Sequence, residues 1–459
     1  MAKTKLIEKI GYGFGDMSSS MFWKIFSYYL PFFYSNIFGL SLIDAGVLVF
    51  ITRIWDAVSD PMMGIISDRT NTRWGKYRPY LLWVAPLFSI CGILLFTTPD
   101  LNYGGKLIWA YVTYIMMMTA YTGINVPYGA MLGVMTDDTN EKTVFSSFRM
   151  FFAYGGSFIA LFAWEPLCDY FKTVTGSLTD GWQSAMIVIA CMCLVLFLTS
   201  FALTREHIKV SPTGLGNDFK SLLSNLPWWI LTLASVGTNL FNTVRGSSVA
   251  YYFKYYIGEN VHINLGFTGF LFFAGLFLAV GEVCNMIGVV TAVPLSKRIG
   301  KKSTFILSAI ALIIFSVIFF YVPCTNGGFI TMLLLQIIIS IFTGIISPLV
   351  WSMYADVADY ARWKDNANCT GLVFSSGSFA QKLGGAVAGS AVLMIFDAFG
   401  LVPNAMEQAD SAILGMKLTM SWIPAGISAC MLIVLLAYPL TKKKMTEITN
   451  SLKTKTVTE

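Results

Sequence analysis

Within an otherwise apolar stretch lies RIWDAVSDPMMG, Arg53 to Gly64. Asp56 and Asp60 stand four residues apart, so a helix presents both carboxylates on one face, with Ser59 beside them and Arg53 one turn earlier. A bare carboxylate at bilayer depth costs about 2.5–3.5 kcal/mol on insertion scales, so two on one helix demand compensation. Arg53 is one candidate partner; a cation that comes and goes is the other. One reading is a fixed ion pair joining two helices. One arginine cannot neutralise two carboxylates, however, and this favours an ion or proton site facing a polar cavity.

Other polar side chains recur at helical spacing. Asp16, Ser20 and Lys24 stripe one face of the first apolar run. Tyr121 and Asn125 do the same in the fourth, with Thr122 adjoining them. Sugars need such mixtures, polar groups for their hydroxyls and aromatic faces for their C–H surfaces. Tyr121, Tyr128, Trp55 and Trp351 are aromatic candidates, although core packing or an interface belt accounts for any one of them taken alone. Asn239, Asn242 and Arg245 in the seventh run, and Glu282 and Asn285 in the eighth, either line the cavity or bond helix to helix. The sequence also excludes chemistries. Its two histidines, His207 and His262, fall in predicted loops, its eight cysteines show no metal or redox spacing, and no GxxxxGK[ST] occurs. An enzyme or a nucleotide-driven pump is therefore not expected.

These residues require a membrane to hold them. Of the 459 residues 56% are hydrophobic and 12% charged, against about a quarter charged in soluble domains. The length supplies about twelve spans of roughly 20 residues. Helices are expected near 9–37, 41–67, 79–98, 106–135, 143–166, 182–203, 226–257, 265–296, 303–322, 328–361, 370–399 and 418–440, the first retained rather than cleaved. Of the 31 Lys and Arg, twenty-two fall at the N-terminus, in even-numbered loops or after the last run, and four in odd-numbered loops. That bias puts both termini in the cytoplasm. The remaining five, Lys24, Arg53, Arg149, Arg245 and Lys382, lie inside the runs.

The chain also repeats itself. DRTNTRWGKYRP (Asp68–Pro79) follows the second run and SKRIGKKST (Ser296–Thr304) the eighth. TDDTNEKT after the fourth and ADVADYARWKDNANCTG after the tenth are likewise six runs apart. The expected fold is an all-α integral membrane protein, twelve transmembrane helices in two six-helix pseudo-repeats. A bundle over 1–203, a cytoplasmic linker at 204–225, a second bundle over 226–440 and a tail at 441–459 make up this major facilitator arrangement. Arg69, Arg73, Lys76 and Arg78, with Asp356 and Asp359 near the tenth run, suggest gating ion pairs between the halves, able to bias a balanced two-state equilibrium.

Several stretches together resemble one family. GYGFGDMSSS (Gly11–Ser20), RIWDAVSDP, DRTNTRWGKYRP, AYTGINVPYGAM (Ala120–Met131), SFRMFFA (Ser147–Ala153), ADVADY (Ala355–Tyr360) and SFAQKLGG (Ser378–Gly385) are similar, in order, to the glycoside–pentoside–hexuronide:cation symporters. The resemblance implies sugar uptake by alternating access, driven by Na⁺, H⁺ or Li⁺, with no other cofactor. It implies that Asp56, Asp60 and Thr122 bind the cation, with Ser59 where the melibiose permease has an asparagine ligand. Arg149 and Lys382 match buried basic residues near the sugar, and Ser378 a hydroxyl position. Ser20 and Asn125 stand where galactoside carriers have carboxylates, and Gly129 replaces a stacking tryptophan, so the pattern looks closer to glucuronide and xyloside carriers. The expected substrate set is Asp16, Ser20, Lys24, Tyr121, Asn125, Tyr128, Arg149, Trp351, Ser378 and Lys382.

Lys24, Arg149 and Lys382 would then offer surplus positive charge to a hexuronide carboxylate, which Arg can hold bidentately. The competing reading satisfies Lys24 with Asp16, and Arg149 or Lys382 with Asp56 and Asp60, and leaves a neutral sugar. The expected context is a functional monomer crossing the inner (plasma) membrane many times. A cation-coupled carrier of a lysolipid on the same fold is the alternative.

Overall fold

The computed structural model describes residues 5–136, 139–207, 224–258, 261–264, 269–365 and 370–458. The first part comprises α1 (Leu6–Tyr28), the single turn α2 (Leu30–Phe33) running into a π-turn (Tyr34–Phe38), α3 (Leu42–Arg69), α4 (Pro79–Leu95), α5 (Tyr103–Met135), α6 (Thr139–Thr175) and α7 (Leu178–Leu203). The second comprises α8 (Leu226–Tyr252) with a π-turn (Phe253–Ile257), strands β1 (Val261–Asn264) and β2 (Gly269–Phe272), α9 (Ala274–Ile299), α10 (Lys301–Phe320), α11 (Asn326–Asp365), α12 (Thr370–Ala398), α13 (Asp410–Met420), α14 (Trp422–Leu436) and α15 (Lys442–Thr458). Eight of the described helices are long and apolar enough to cross a membrane.

Helix α3 shows how the sequence is used. Ile43, Phe50, Ile51, Ile54, Val58, Met62 and Ile65 are exposed on one face, where lipid is the solvent. Leu48, Val49, Thr52, Arg53, Asp56 and Ser59 are buried on the other. The polar stripe faces inward because an ionisable group is tolerated in a membrane only against protein or a polar cavity.

Two similar packing patterns result. Helix α1 packs on α6 and α7, α3 on α5, and α4 on α5 and α7; likewise α8 packs on α12 and α14, α9 on α11, and α10 on α11 and α14. Across the two sets α3 meets α12, α6 meets α9 and α1 meets α8. At the end of the bundle that carries the β-hairpin, these sets are joined by Ser35 and Tyr251 hydroxyls 2.6 Å apart, by the Tyr255 hydroxyl donating to Asn36 Oδ1, and by Asn404 Nδ2 donating to the Asn36 carbonyl at 2.6 Å. At the opposite end Glu206 receives the backbone N–H groups of Lys76, Tyr77 and Arg78 at 2.7–2.8 Å, pinning the basic loop to the start of α4. Gly75, at φ +118°, is required there twice over, since a Cβ would also lie 2.5 Å from the Glu206 carboxyl carbon.

The structure revises several expected boundaries. The run 9–37 stops at Tyr28 and restarts at Leu30, with Pro31 in the first turn where no N–H is needed. The helix expected from 265 starts at Ala274, and a hairpin precedes it. Val261 pairs with Phe272 and Ile263 with Phe270, Ile263 and Phe272 being buried and His262 and Leu271 exposed, so alternation with period two wins over helical periodicity. The last span begins at Asp410 rather than 418 and breaks at Ser421 (φ −134°, ψ −84°). The tail is helical as α15. Within the expected linker 204–225, residues 208–223 lie outside the described residues, as do 137–138 and 366–369 of the two polar repeats.

Helices α9 and α11 touch through Gly288 and Gly344, where a Cβ on Gly344 would sit 2.8 Å from Asn285 Cα. Small residues let membrane helices approach closely. Gly344→Val is expected to destabilise the purified protein by about 1–3 kcal/mol, measured as a lower midpoint of thermal unfolding in detergent, because the backbones must part.

Candidate cation and substrate sites

Asp56 is fully buried on α3, with Ser59 and Asp60 on the same face. Thr122, from α5, places its hydroxyl 3.0 Å from both Asp56 Oδ1 and Asp60 Oδ1. Ser59 Oγ lies 3.2 Å from that hydroxyl and 3.0 Å from the Asp56 carbonyl. A threonine hydroxyl carries one proton, so it serves one carboxylate at a time. From α12, Lys382 Nζ reaches both acids, forming an ion pair with Asp60 Oδ2 and lying 3.2 Å from Asp56 Oδ2. Asp56 Oδ2 has no hydrogen-bond partner of good geometry. Pro61, next in the chain, donates no N–H, so one further carbonyl on this turn lacks its helical bond.

Two carboxylates share one ammonium by direct contact, so one of the acids has no ion-pair partner of its own. The atoms around it are hard oxygens, carboxylate and hydroxyl, short of donors. A monovalent cation or a proton would balance the charge and occupy the acceptors. Among the described residues no group of three or more His, Cys, Asp or Glu is placed to hold a metal ion.

Arg53, the sequence-level candidate for neutralising these acids, does not do so. Its guanidinium lies 4.3 Å from the Trp23 ring centroid, and Nε and Nη1 are buried without hydrogen-bond partners. Trp23 in turn lies 5.2 Å from Tyr121, giving a cation–aromatic–aromatic stack beside the carboxylates. Sequence spacing brought Arg53 to the correct face, but α12 delivers a lysine to the acids first.

The other intramembrane cations also have partners. Arg149 on α6 grips Asp16 on α1 through Nε at 3.0 Å and Nη2 at 3.3 Å, above the Tyr128 ring. Lys24 on α1 lies 2.5 Å from Glu282 Oε1 on α9 and 3.2 Å from the Tyr28 hydroxyl. Of the pairings considered from sequence, Lys24 with Asp16 is corrected, and of Arg149 or Lys382 with the α3 acids it is Lys382 that pairs with them while Arg149 takes Asp16. Eight residues along α1 put Lys24 two turns from Asp16, and each finds a nearer partner on a neighbouring helix.

Among the remaining expected residues, Tyr121 and Tyr128 are buried, Tyr128 stacked on Tyr12 at 4.6 Å. Ser20, Asn125 and Trp351 are half-buried and Ser378 is exposed. Trp55 points away from this site, on the lipid-facing side of α3, and donates to Thr119 Oγ1 at 2.9 Å. Of the gate candidates, Asp356 is held by Lys301 at 2.7 and 2.8 Å; Asp359, Arg69 and Arg73 are exposed; Lys76 and Arg78 are half-buried. Arg78 is turned back onto the Phe201 carbonyl at 2.8 Å. Sequence reasoning missed Glu206 as the clamp on the basic loop, since nothing local marks an acid that caps a turn 128 residues away. It had also left open which charge Glu282 answers.

Long apolar helices around buried charge pairs define a multi-pass membrane carrier. The fold matches that of the nucleoside transporter NupG with a TM-score of 0.64 at 14% identity, over 95% of this chain and 99% of that one. A family model described as MFS/sugar transport protein matches residues 11–442, and the chain belongs to that major facilitator family. It is 32% identical over 448 residues to the isoprimeverose transporter of Lactiplantibacillus pentosus, spanning 95% of this chain and 89% of that one. It is 31% identical over 411 residues to the inner membrane symporter YicJ of Escherichia coli (strain K12), spanning 89% and 86%.

Removing one partner of a buried ion pair costs about 3–5 kcal/mol, because the other charge is left uncompensated. Lys382→Ala is expected to lower the unfolding midpoint, and adding Asp56→Asn to restore part of the loss, as measured by a double-mutant cycle on the purified protein. Additive losses would show that the three groups do not form one electrostatic unit.

Proposed function

We propose that this chain is a cation-coupled glycoside symporter working by alternating access, with Asp56, Ser59, Asp60 and Thr122 holding the coupling cation. The observation that carries this reading is that two carboxylates on α3 share a single lysine from α12, across the contact between the two helix sets. A cation entering among the acids competes with Lys382 for the same oxygens. It therefore weakens the tie between α3 and α12, and this differential interaction is what shifts a two-state equilibrium. Both Na⁺ and H⁺ satisfy the charge requirement.

The sugar site on this reading lies beside the cation site, among Asp16, Ser20, Lys24, Tyr121, Asn125, Tyr128, Arg149, Trp351, Ser378 and Lys382. With Lys24, Arg149 and Lys382 each opposed by a carboxylate, no surplus cation among the three calls for an acidic substrate, and an uncharged glycoside is the better fit.

In the complete carrier, twelve spans form two six-helix halves, 1–203 and 226–440, joined by 204–225, with both termini in the cytoplasm. The repeated packing pattern and the loop charge bias support that arrangement. Helices α1, α3 and α8, which carry Asp16, Lys24, Arg53, Asp56, Asp60 and Arg245, are long enough to span but are not among the eight apolar candidates. The bonded hairpin end would then be the closed outer side. Asp356 would exchange Lys301 for the Arg69–Arg78 loop, with Asp359, when the carrier opens outward.

Asp60→Asn is expected to abolish gradient-driven accumulation in vesicles while sugar counterflow continues. Wild-type accumulation in both single variants, Asp56→Asn and Asp60→Asn, would remove the cation site. In the same vesicles a neutral glucoside should be taken up at least about tenfold faster than the matched glucuronide; the reverse order would reinstate an acidic substrate.

A further inference from the structure

Glu282 on α9 is an acid that neither the cation site nor the repeat accounts for. The offset that sets Gly75–Lys76 on Gly300–Lys301 lays Asp56 on Gly281 and Asp60 on Asn285, so Glu282 falls on Ala57. It is 3% exposed, with Oε1 against Lys24 Nζ at 2.5 Å and Oε2 buried without a partner. A buried carboxylate is costly unless it answers a charge, so its role follows from what Lys24 does.

Lys24 faces the interior of the bundle. Past its first turn α1 carries no exposed large apolar side chain among the described residues, so it does not face lipid. Asp16, Ser20 and Lys24 are each partly exposed, and their stripe therefore opens on internal space. Trp23, next to Lys24 in the chain, lies 4.3 Å from the Arg53 guanidinium and 5.2 Å from the Tyr121 ring. This turn of α1 thus sits beside the α3 and α5 faces that carry the cation site. Within the pair the lysine is the accessible member, with 22% of its side chain exposed against 4% for the glutamate. A solute meets an ammonium whose charge is already cancelled from behind.

The other buried cations are committed elsewhere. Lys382 is held by both α3 acids, and Arg149 grips Asp16 with two N–H groups. Arg245 borders the same small void as Glu282, about 40 Å³, which has room for water and not for a sugar ring. Its guanidinium is fixed there by the Met420 carbonyl at 2.5 Å and Gln336 Oε1 at 2.9 Å. An anion drawn to Lys24 meets the Glu282 charge directly behind it, and pulling the lysine away leaves that acid bare. Both effects oppose a carboxylate, and neither touches a neutral hydroxyl.

We propose that Glu282 is a specificity-determining residue, which by masking Lys24 excludes glycosides that carry a carboxylate and leaves neutral ones free to bind. This rests on the reading of the chain as a glycoside symporter and adds which residue sets the charge of the substrate. Glu282 acts through Lys24 and touches no substrate itself.

The test uses full-length carrier in proteoliposomes under imposed Na⁺ and proton gradients. The probes are methyl β-glucoside and methyl β-glucuronide, which differ at C6 alone. In Glu282→Gln, and independently in Glu282→Met, the ratio of kcat/KM for the glucuronide to that for the glucoside should rise at least about tenfold, through a lower KM for the glucuronide. Adding Lys24→Gln to Glu282→Gln should return the ratio to within about threefold of wild type. Glu282→Asp keeps the charge and should keep the glucuronide excluded. An unchanged ratio in both neutral variants, a gain that survives Lys24→Gln, an equal gain in Glu282→Asp, or an equal loss for both probes makes Glu282 a brace between helices. Each of these overturns its role in selection and leaves the symporter reading in place. Transport of neither probe by wild type overturns the two together.

Discussion

The centre of this molecule depends on two carboxylates that share one direct ion partner. Two carboxylates on α3 cannot be left bare in a membrane, and one lysine from α12 answers only half of their demand. A fully neutral cluster would be a rivet between helices, and an unpartnered one would not persist. The pair is held across the contact between the two helix sets, with Lys382 of α12 reaching both acids of α3. The buried hydroxyls of Ser59 and Thr122 keep the carboxylate oxygens turned toward one another and toward the site.

The same economy runs through the other charges. Lys24 reaches from α1 to Glu282 on α9, the reverse direction of Lys382, so each helix set lends one lysine to the other's acid. The Arg149–Asp16 pair stays inside the first set and braces α1 against α6 with bidentate geometry over an aromatic ring. Arg53 and Arg245 are treated differently: one lies over Trp23, the other on a backbone carbonyl and a side-chain amide. Such neutral partners stabilise a guanidinium without cancelling its charge, so both arginines still shape the local field. The hydrogen bonds at the hairpin end, by contrast, join uncharged groups, Ser35 with Tyr251 and Asn36 with Tyr255 and Asn404. Contacts of this kind are modest one by one.

Much was legible in the chain before any coordinates. The i,i+4 acids, the basic residues inside apolar runs and the repeated Gly–Lys loops follow from spacing and composition, because a membrane imposes its constraint residue by residue: each buried charge must be explained, and each span must be long enough. Most of the long helices fall where that constraint puts them. Family resemblance singled out Thr122, Arg149 and Lys382 as candidates, which spacing alone leaves unassigned.

Pairing was not legible, and neither were the places where local geometry overrides a run of apolar residues. Nothing in the order of residues says that Lys24 meets Glu282 rather than Asp16, that Lys382 displaces Arg53 as the partner of the α3 acids, or that Glu206 caps the loop before α4. The hairpin at 261–272 was hidden for the same reason, since Phe and Gly in a short apolar stretch suit a strand or a helix until neighbours choose. A sequence therefore determines which groups are too costly to leave alone in a membrane; that cost is a property of the residue and its solvent. Which group answers which is decided by helix packing, because a charge takes whatever opposite charge the fold brings within about 3 Å, and that distance exists only in three dimensions.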